Sequence, residues 1–293
     1  MKAKGKRGGT KAQIRTLKEK ERRIATPIFL ALILIVIGLS AYLTYSLIYQ
    51  PSHQPGNAEN QETGSENQFK AAIVDQLSLT FPNQTFIERA TNILKQSGYT
   101  VDYYSGEKVT VEFYRDLPTH DYRVIVLRVH SALCGDSPPV NLFTSEAYSA
   151  TKYLHEQLTD QIGKATYLPY HEGDPAYFSI NAGFVRQSLH ERFQNATIIM
   201  MGCNGLAYED LAKAFIEKGA KVYIGWSGSV LASHTDQATI SLLNDLILKK
   251  QTVRQAGENT MNEVGPDPSW KSILGYYPAE VGEQTLENIS NGL

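Results

Sequence analysis

The sequence predicts an α/β domain with a mostly parallel sheet and helices on both faces, preceded by one transmembrane helix. From Lys70 onward, short β-branched runs alternate with segments in which apolar residues recur at helical spacing. Strands separated by helices favour parallel pairing, because a crossover helix returns the chain to the same end of the sheet. Ahead of this pattern, the segment from Ile28 to Tyr49 is uncharged and rich in Leu and Ile.

Residues 28–49 have the length and composition of a single membrane-spanning helix that acts as a signal-anchor. At about 1.5 Å per residue this helix would extend roughly 33 Å, close to the thickness of the bilayer hydrocarbon core. The apolar run is longer than the core of a usual signal peptide, and no clear small-x-small cleavage site follows it. We therefore expect the span to be retained.

The charges beside the span predict its orientation. Residues 1–23 contain ten Lys and Arg against only Glu19 and Glu21, whereas residues 50–69 contain at most one basic residue. By the positive-inside tendency, residues 1–27 form a basic cytoplasmic tail, and the carboxyl-terminal domain lies outside the cell membrane. The tail has a formal charge of +8 and the whole chain −2. The remainder is therefore acidic, which argues against a nucleic-acid partner.

Residues 50–69 are rich in Pro, Gly, Asn, Gln and Ser, and this composition predicts a flexible stalk ahead of an ectodomain at 70–293. In the ectodomain, β-branched and apolar runs predict strands at 71–79, 99–104, 123–130, 196–203 and 221–226. Helical spacing of apolar residues predicts helices at 85–96, 145–159, 182–193, 207–218 and 237–250.

Two stretches of the ectodomain are less regular. Residues 109–115 suit either a strand or a helix, and Tyr167 to Phe178 is rich in Pro, Gly and Tyr, which predicts a loop. Both the loop and two of the predicted helices fall within residues 131–195. Insertions at the carboxyl ends of strands are where α/β folds build pockets, so we expect substrate specificity to reside in this section.

The most informative motif is Met201-Gly202-Cys203-Asn204-Gly205, directly after the buried run at 196–200. It places a cysteine at the carboxyl end of a core strand, on a glycine-bracketed turn beside a helix start. Open α/β sheets position ligands and catalytic groups there, and the helix N-terminus favours a thiolate. The run at 122–129 ends in His130-Ser131. Two consecutive core strands that end in His and Cys can supply a nucleophile and its base.

This layout resembles the caspase-like (clan CD) cysteine peptidases, and most closely the CHAT and gingipain-type domains, over roughly residues 70–275. The Cys203-Asn204-Gly205 triplet is similar to the second half of the caspase signature Q-A-C-[RQG]-G. There are two departures from the family pattern. The usual His-Gly is His130-Ser131 here, and the Gln before the caspase nucleophile is replaced by Met201.

The resemblance implies acyl transfer on a protein or peptide substrate. Cys203 would attack a peptide carbonyl, and His130 would handle the proton. The expected oxyanion site is formed by backbone amides at Ser131, Gly202, Asn204 and Gly205. No phosphate loop, dinucleotide fingerprint or zincin motif is present, and two cysteines are too few for a structural zinc site. We therefore expect no cofactor and no metal.

Two other interpretations of Cys203 remain open from the sequence. It can be a small buried residue, or it can form a disulfide with Cys134, since the chain has only two cysteines and the domain is expected outside the cytoplasm. A bridged Cys203 could not be a resting nucleophile. The alternative function is therefore a non-catalytic caspase-like binding or sensor domain.

Three residues near the next strand end are candidates for a substrate pocket. Trp226 can form a pocket wall or a core contact, and His234 can line the pocket because it follows that strand end. Asp236 can select a basic side chain, or Thr235 or Asp236 can cap the helix predicted at 237–250.

Overall fold

The computed structural model describes residues 69–134, 139–167, 169 and 171–292. The predicted cytoplasmic tail, membrane span and most of the stalk lie outside these residues. Within the described part of the chain, no helix is long and apolar enough to cross a membrane.

Ten strands are present in the described residues. In chain order they are β1 Lys70–Asp75, β2 Thr100–Ser105, β3 Tyr122–Arg128, β4 Ser131–Leu133, β5 Val140–Ala147, β6 Ile162–Ala165, β7 Tyr177–Ile180, β8 Thr197–Met200, β9 Val222–Trp226 and β10 Leu274–Tyr277.

The α-helices of the same part of the chain lie between these strands in the sequence, except the last helix, which follows β10. They are α1 Gln84–Gln96, α2 Val111–Asp116, α3 Leu154–Leu158, α4 Ala182–Gln187, α5 Asp210–Glu217, α6 Ala232–Leu243, α7 Val253–Val264 and α8 Leu286–Asn291.

Six strands form the main sheet in the order β10-β9-β8-β3-β1-β2. All neighbouring pairs are parallel except β10 with β9. Successive side chains of a strand point to opposite faces of the sheet. The central strand β3 is buried on both faces, since helices cover both. Ile125 and Leu127 pack on the face covered by α5, and Val124 and Val126 pack on the face covered by α1 and α6. The predicted α/β class with a mostly parallel, helix-flanked sheet is therefore confirmed.

A second, four-stranded sheet occupies much of residues 131–180, in the order β4-β5-β7-β6 with antiparallel pairing throughout. The sequence interpretation missed this sheet, and the helix predicted at 145–159 is largely wrong. Residues 145–147 continue the buried strand β5, and only Leu154–Leu158 is helical. That short helix buries none of its residues. It therefore lacks the apolar face, packed on the core, that is typical of a long surface helix.

The helix predicted at 237–250 begins earlier, at Ala232, and continues as a π-helical segment at Asn244–Leu248. The predicted cap at Thr235 or Asp236 is wrong, since both residues lie inside α6. The helix start is instead supported from a distance, because the Leu231 N–H donates to the Asp267 carboxylate at 2.8 Å. Asp267 lies beyond the next helix, so spacing along the chain cannot reveal it.

Two smaller boundaries also differ from the predictions. The first strand ends at Asp75, and residues Gln76–Leu79 form a 3-10 turn instead of continuing the strand. The ambiguous segment at 109–115 is the helix α2, whose start is capped by the Thr110 side chain accepting from the Phe113 N–H. The turn at 76–79 matters for the site, because it follows the carboxyl end of β1 on the side of the sheet where the candidate residues lie.

Candidate active site

His130 and Cys203 lie at the same edge of the main sheet. Strands β3 and β8 are parallel neighbours, with Leu127 opposite Met200 in the last register pair. His130 follows β3 by two residues, and Cys203 follows β8 by three. The structure therefore brings the two predicted residues to adjacent carboxyl-terminal strand ends, which is where α/β sheets form their sites.

The backbones of these two strand ends are in direct contact on either side of His130. The Ser131 hydroxyl donates to the carbonyl of Cys203 at 2.5 Å. Gly202 lies so close to β3 that an added Cβ would overlap the Val129 carbonyl and the Ser131 hydroxyl. Glycine is thus required at 202 by close approach of two main-chain segments. Ser131 therefore has a defined role, since its hydroxyl ties the two turns together.

The His130 side chain is held by the segment that follows β1. Its Nε2 atom is 2.9 Å from the Thr80 hydroxyl, and its main-chain N–H donates to the buried Gln76 side chain at 3.0 Å. Three aromatic rings surround the imidazole, with centroid distances of 5.8 Å to Phe81, 6.0 Å to Phe143 and 4.8 Å to Tyr167. The imidazole therefore leans toward the β1 side of the site.

This environment keeps the imidazole uncharged at neutral pH. Burial among the rings, together with the positive charge of nearby Arg128, lowers the pKa of His130 from its usual 6.5 to about 4. A neutral imidazole has one nitrogen that donates and one that accepts. Because Nε2 is paired with Thr80, the nitrogen available to a reacting group is Nδ1.

Cys203 is a free, half-buried thiol held by main-chain groups on the other side of the site. The Val230 N–H is 3.5 Å from Sγ, and Sγ is 3.6 Å from the Val230 carbonyl oxygen. The side chain packs on the cluster formed by Trp226, Val230 and Ala238. Cys134 is also free, and it is exposed, so the alternative Cys134–Cys203 disulfide is not present in this structure.

Among the described residues there is no hydrogen bond between the Cys203 thiol and the His130 imidazole. The imidazole is paired on the β1 side, and the thiol is paired on the β9 side. The two main chains meet, and the two side chains have different hydrogen-bond partners.

One of the main-chain amides expected to stabilise an oxyanion, that of Asn204, already has a hydrogen-bond partner. The Asn204 N–H donates to the Gly228 carbonyl at 2.8 Å, and Asn204 adopts a left-handed conformation with φ of 58°. The Tyr223 hydroxyl donates to the Gly205 carbonyl at 3.1 Å, a bond that does not involve the Gly205 N–H. Within the described residues, the main-chain N–H of Cys203 makes no hydrogen bond. That amide is therefore available at the turn.

The three residues considered for a pocket make core contacts. Trp226 is buried, and its indole N–H donates to the Thr235 hydroxyl at 2.9 Å. His234 Nε2 is 3.0 Å from the Gly265 carbonyl oxygen, and its ring packs on Trp226. The Asp236 carboxylate is buried against Arg128. An ion-paired carboxylate inside the core does not offer a free charge to a basic substrate side chain.

Sequence reasoning missed the residues that support His130. Arg128, Asp75, Gln76 and Thr80 contribute a buried ion pair and two hydrogen bonds around it. Arg128 was the available signal, since it lies in a run predicted to be a core strand and an arginine is almost never fully buried unless it is paired.

The described residues contain no group of three His, Cys, Asp or Glu side chains arranged to hold a metal ion. A cleft of about 840 Å³ lies near the amino-terminal ends of the strands, with Tyr99 and Arg123 in its wall, and it includes none of the candidate residues.

No protein-family model and no curated protein sequence matches this chain.

Proposed function

We propose that the chain is a caspase-like cysteine peptidase that cleaves peptide bonds with Cys203 as nucleophile and His130 as the proton-transfer group. The observation that carries this proposal is the direct contact between the two strand ends, made through Gly202 and Ser131. It fixes the main chains of a potential nucleophile and a potential base beside each other, at the edge of the sheet that α/β folds use for chemistry.

The chemistry follows from the groups at this edge. The Cys203 sulfur forms a bond to the substrate carbonyl carbon while its proton passes to Nδ1 of His130, which Thr80 holds through Nε2. The C–N bond then breaks, and the imidazolium returns the proton to the departing amine. Water cleaves the resulting thioester and restores the thiol. The free amide of Cys203 supports stabilisation of the carbonyl oxygen as it gains negative charge.

A second candidate, a non-catalytic binding or sensor domain of the same fold, is favoured by one observation. The imidazole and the thiol are each engaged by other neighbours, and the pKa of His130 is lowered to about 4. An imidazole with so low a pKa is a weak base for a thiol at neutral pH. In this alternative the strand ends serve as a framework, and no proton transfer takes place.

The cellular setting is a proposal that rests on the sequence. The uncharged run at 28–49 and the basic residues before it support a single-pass anchor in the cell membrane, with the amino terminus in the cytoplasm and the domain from residue 70 outside. A protein or peptide substrate would then be met on the extracytoplasmic side.

The test combines a thiol probe with a peptide library. The full-length chain is treated with iodoacetamide near pH 7 and, separately, with a mixture of fluorogenic peptides. We expect Cys203→Ala to abolish cleavage and the fast-labelled site, and His130→Ala to slow cleavage by about 10²–10⁴-fold. The matched control is Cys134→Ala, which removes an exposed thiol away from the turn and should retain activity. A wild-type chain that cleaves nothing, with both thiols labelled equally slowly, would support the non-catalytic alternative.

A further inference from the structure

Arg128, the last residue of β3, is a fully buried cation two residues before His130. Its guanidinium donates to both carboxylate oxygens of Asp236, at 2.7 and 2.9 Å. A third bond, of 2.6 Å, goes to Asp75 at the end of β1, and a fourth, of 2.8 Å, goes to the main-chain carbonyl of Phe81. A guanidinium paired in this way is held in one orientation, because its donors form a rigid planar fork.

The partners of Arg128 bracket one segment of the chain, residues 75–83. The first residue of the segment, Asp75, is bound directly by Arg128. The last residue, Asn83, donates to Asp236 at 2.8 Å, so it is held through the carboxylate that Arg128 binds. The middle is held through the carbonyl of Phe81. The position of this segment at the sheet edge is therefore set from both ends and from its centre by one cation.

The same segment supplies the groups that hold His130 on the β1 side. Gln76 accepts the main-chain N–H of His130, Thr80 is bonded to Nε2, and the ring of Phe81 packs against the imidazole. A shift of the segment would move all three contacts together. The clamped segment is thus the physical connection between the buried guanidinium and the orientation of the imidazole.

Stability alone is a poor explanation for this arrangement. Two buried carboxylates share one guanidinium, and buried ion pairs cost so much desolvation that apolar replacements are often as stable. The arrangement does provide a fixed geometry for the segment that contacts His130. A fixed framework around a reacting side chain is what proton transfer requires, since small misplacements slow a reaction strongly.

We propose that Arg128 is a positioning residue, which sets the orientation of the His130 imidazole relative to Cys203 by clamping residues 75–83. Its consequence for catalysis rests on the proposed peptidase function. The orientation itself does not, and it can be measured on the resting protein.

The experiment uses NMR of the full-length chain labelled with ¹⁵N at histidine, with the His130 signals assigned by their loss in His130→Gln. The test variant is Arg128→Lys, which keeps the charge and loses the fork. The wild-type chain should show one imidazole tautomer and a pKa near 4. In Arg128→Lys we expect a mixture of tautomers and a His130 pKa higher by about one unit or more, because water reaches the ring.

The matched control is Arg115→Lys. Arg115 is also a largely buried arginine that binds two carboxylates, but it pairs with Glu112 and Glu156 on α2 and α3. This change should leave the tautomer and the pKa of His130 as in the wild type. A folded Arg128→Lys chain with an unaltered His130 would overturn the proposal.

If Arg128→Lys does not fold, the isosteric Asp236→Asn is used instead. A mixture of His130 tautomers is again expected, and an unaltered His130 in a folded chain would overturn the proposal. This test does not depend on the peptidase proposal, because the tautomer is measured without substrate. If the wild type cleaves peptides, Arg128→Lys should lower kcat by about tenfold or more at unchanged KM, since the residue does not contact substrate.

Discussion

The imidazole of His130 and the thiol of Cys203 follow neighbouring strands, yet their surroundings differ in kind. The imidazole is held by a side-chain hydroxyl and three aromatic rings. The thiol is held by the main chain of Val230 and sits on a turn fixed by Gly202. The orientation of His130 therefore depends on which side chains surround it, whereas the position of Cys203 depends on the course of the main chain.

This difference has a consequence for any catalytic role. Side-chain contacts around His130 can be exchanged by rotation about single bonds. The turn at Cys203 packs closely on the segment that follows β3, since a Cβ added at Gly202 would overlap the Val129 carbonyl. The geometry of a dyad therefore depends on the contacts that hold His130. Substitutions on the two sides should also differ, with main-chain overlap on the Cys203 side costing the most.

The largest effect is expected from Gly202→Ala. The new methyl group would overlap the Val129 carbonyl, which is main chain and cannot rotate away. We expect a loss of about 3–4 kcal/mol in the free energy of unfolding, measured by urea denaturation. The control is Gly257→Ala in α7, where an added Cβ meets nothing within 4 Å. That change should be neutral or stabilise the helix by up to about 1 kcal/mol. Equal effects at the two glycines would refute the close packing of the strand ends.

A smaller, pH-dependent effect is expected from His130. Its pKa is about 4 in the folded chain and near 6.5 in the unfolded chain, so the unfolded state binds more protons in acid. The associated stability is complete above pH 6.5 and is lost as the pH falls toward and through 4. Among the described residues, the positive charge of Arg128 acts on the ring, and the phenol ring of Tyr167 packs against it.

The comparison variant is His130→Gln, which cannot titrate. Between pH 7 and 4 we expect the wild type to lose about 2–3 kcal/mol relative to this variant, from about 1.4 kcal/mol for each unit of pKa difference. Urea midpoints at several pH values provide the measurement. Parallel stability curves for the two chains would show that the imidazole is solvated and not held among the rings.

The parts of the fold that the sequence predicted share a local cause. The strands at β3, β8 and β9 and the helix α1 are marked by apolar residues at a fixed period, and each buries those residues where the pattern places them. The meeting of His130 and Cys203 at one sheet edge followed from the same pattern, since consecutive parallel strands end on the same side. Local periodicity was sufficient for these elements.

The parts that were missed depend on partners far away in the sequence. Arg128 binds Asp75 and Asp236, which are separated from it by 53 and 108 residues. The start of α6 depends on Asp267, and β5 is a strand because β4 and β7 flank it. No property of the local sequence distinguishes these outcomes, because tertiary contacts override local propensity there. The support of His130 is therefore a finding of the structure.

The smallest effect is expected from Ser131→Ala, which tests the tie between the two sides of the site. The change removes the hydroxyl that donates to the Cys203 carbonyl at 2.5 Å and leaves that acceptor unpaired. A net loss of about 1 kcal/mol is expected for one such bond. Ser145→Ala is the matched control, because the Ser145 hydroxyl is buried with no partner among the described residues. Removing that hydroxyl should be neutral or stabilising. Urea denaturation of both variants measures the difference. If Ser131→Ala costs no more than Ser145→Ala, the hydroxyl does not tie the turns together, and the contact at Gly202 alone joins the two halves of the site.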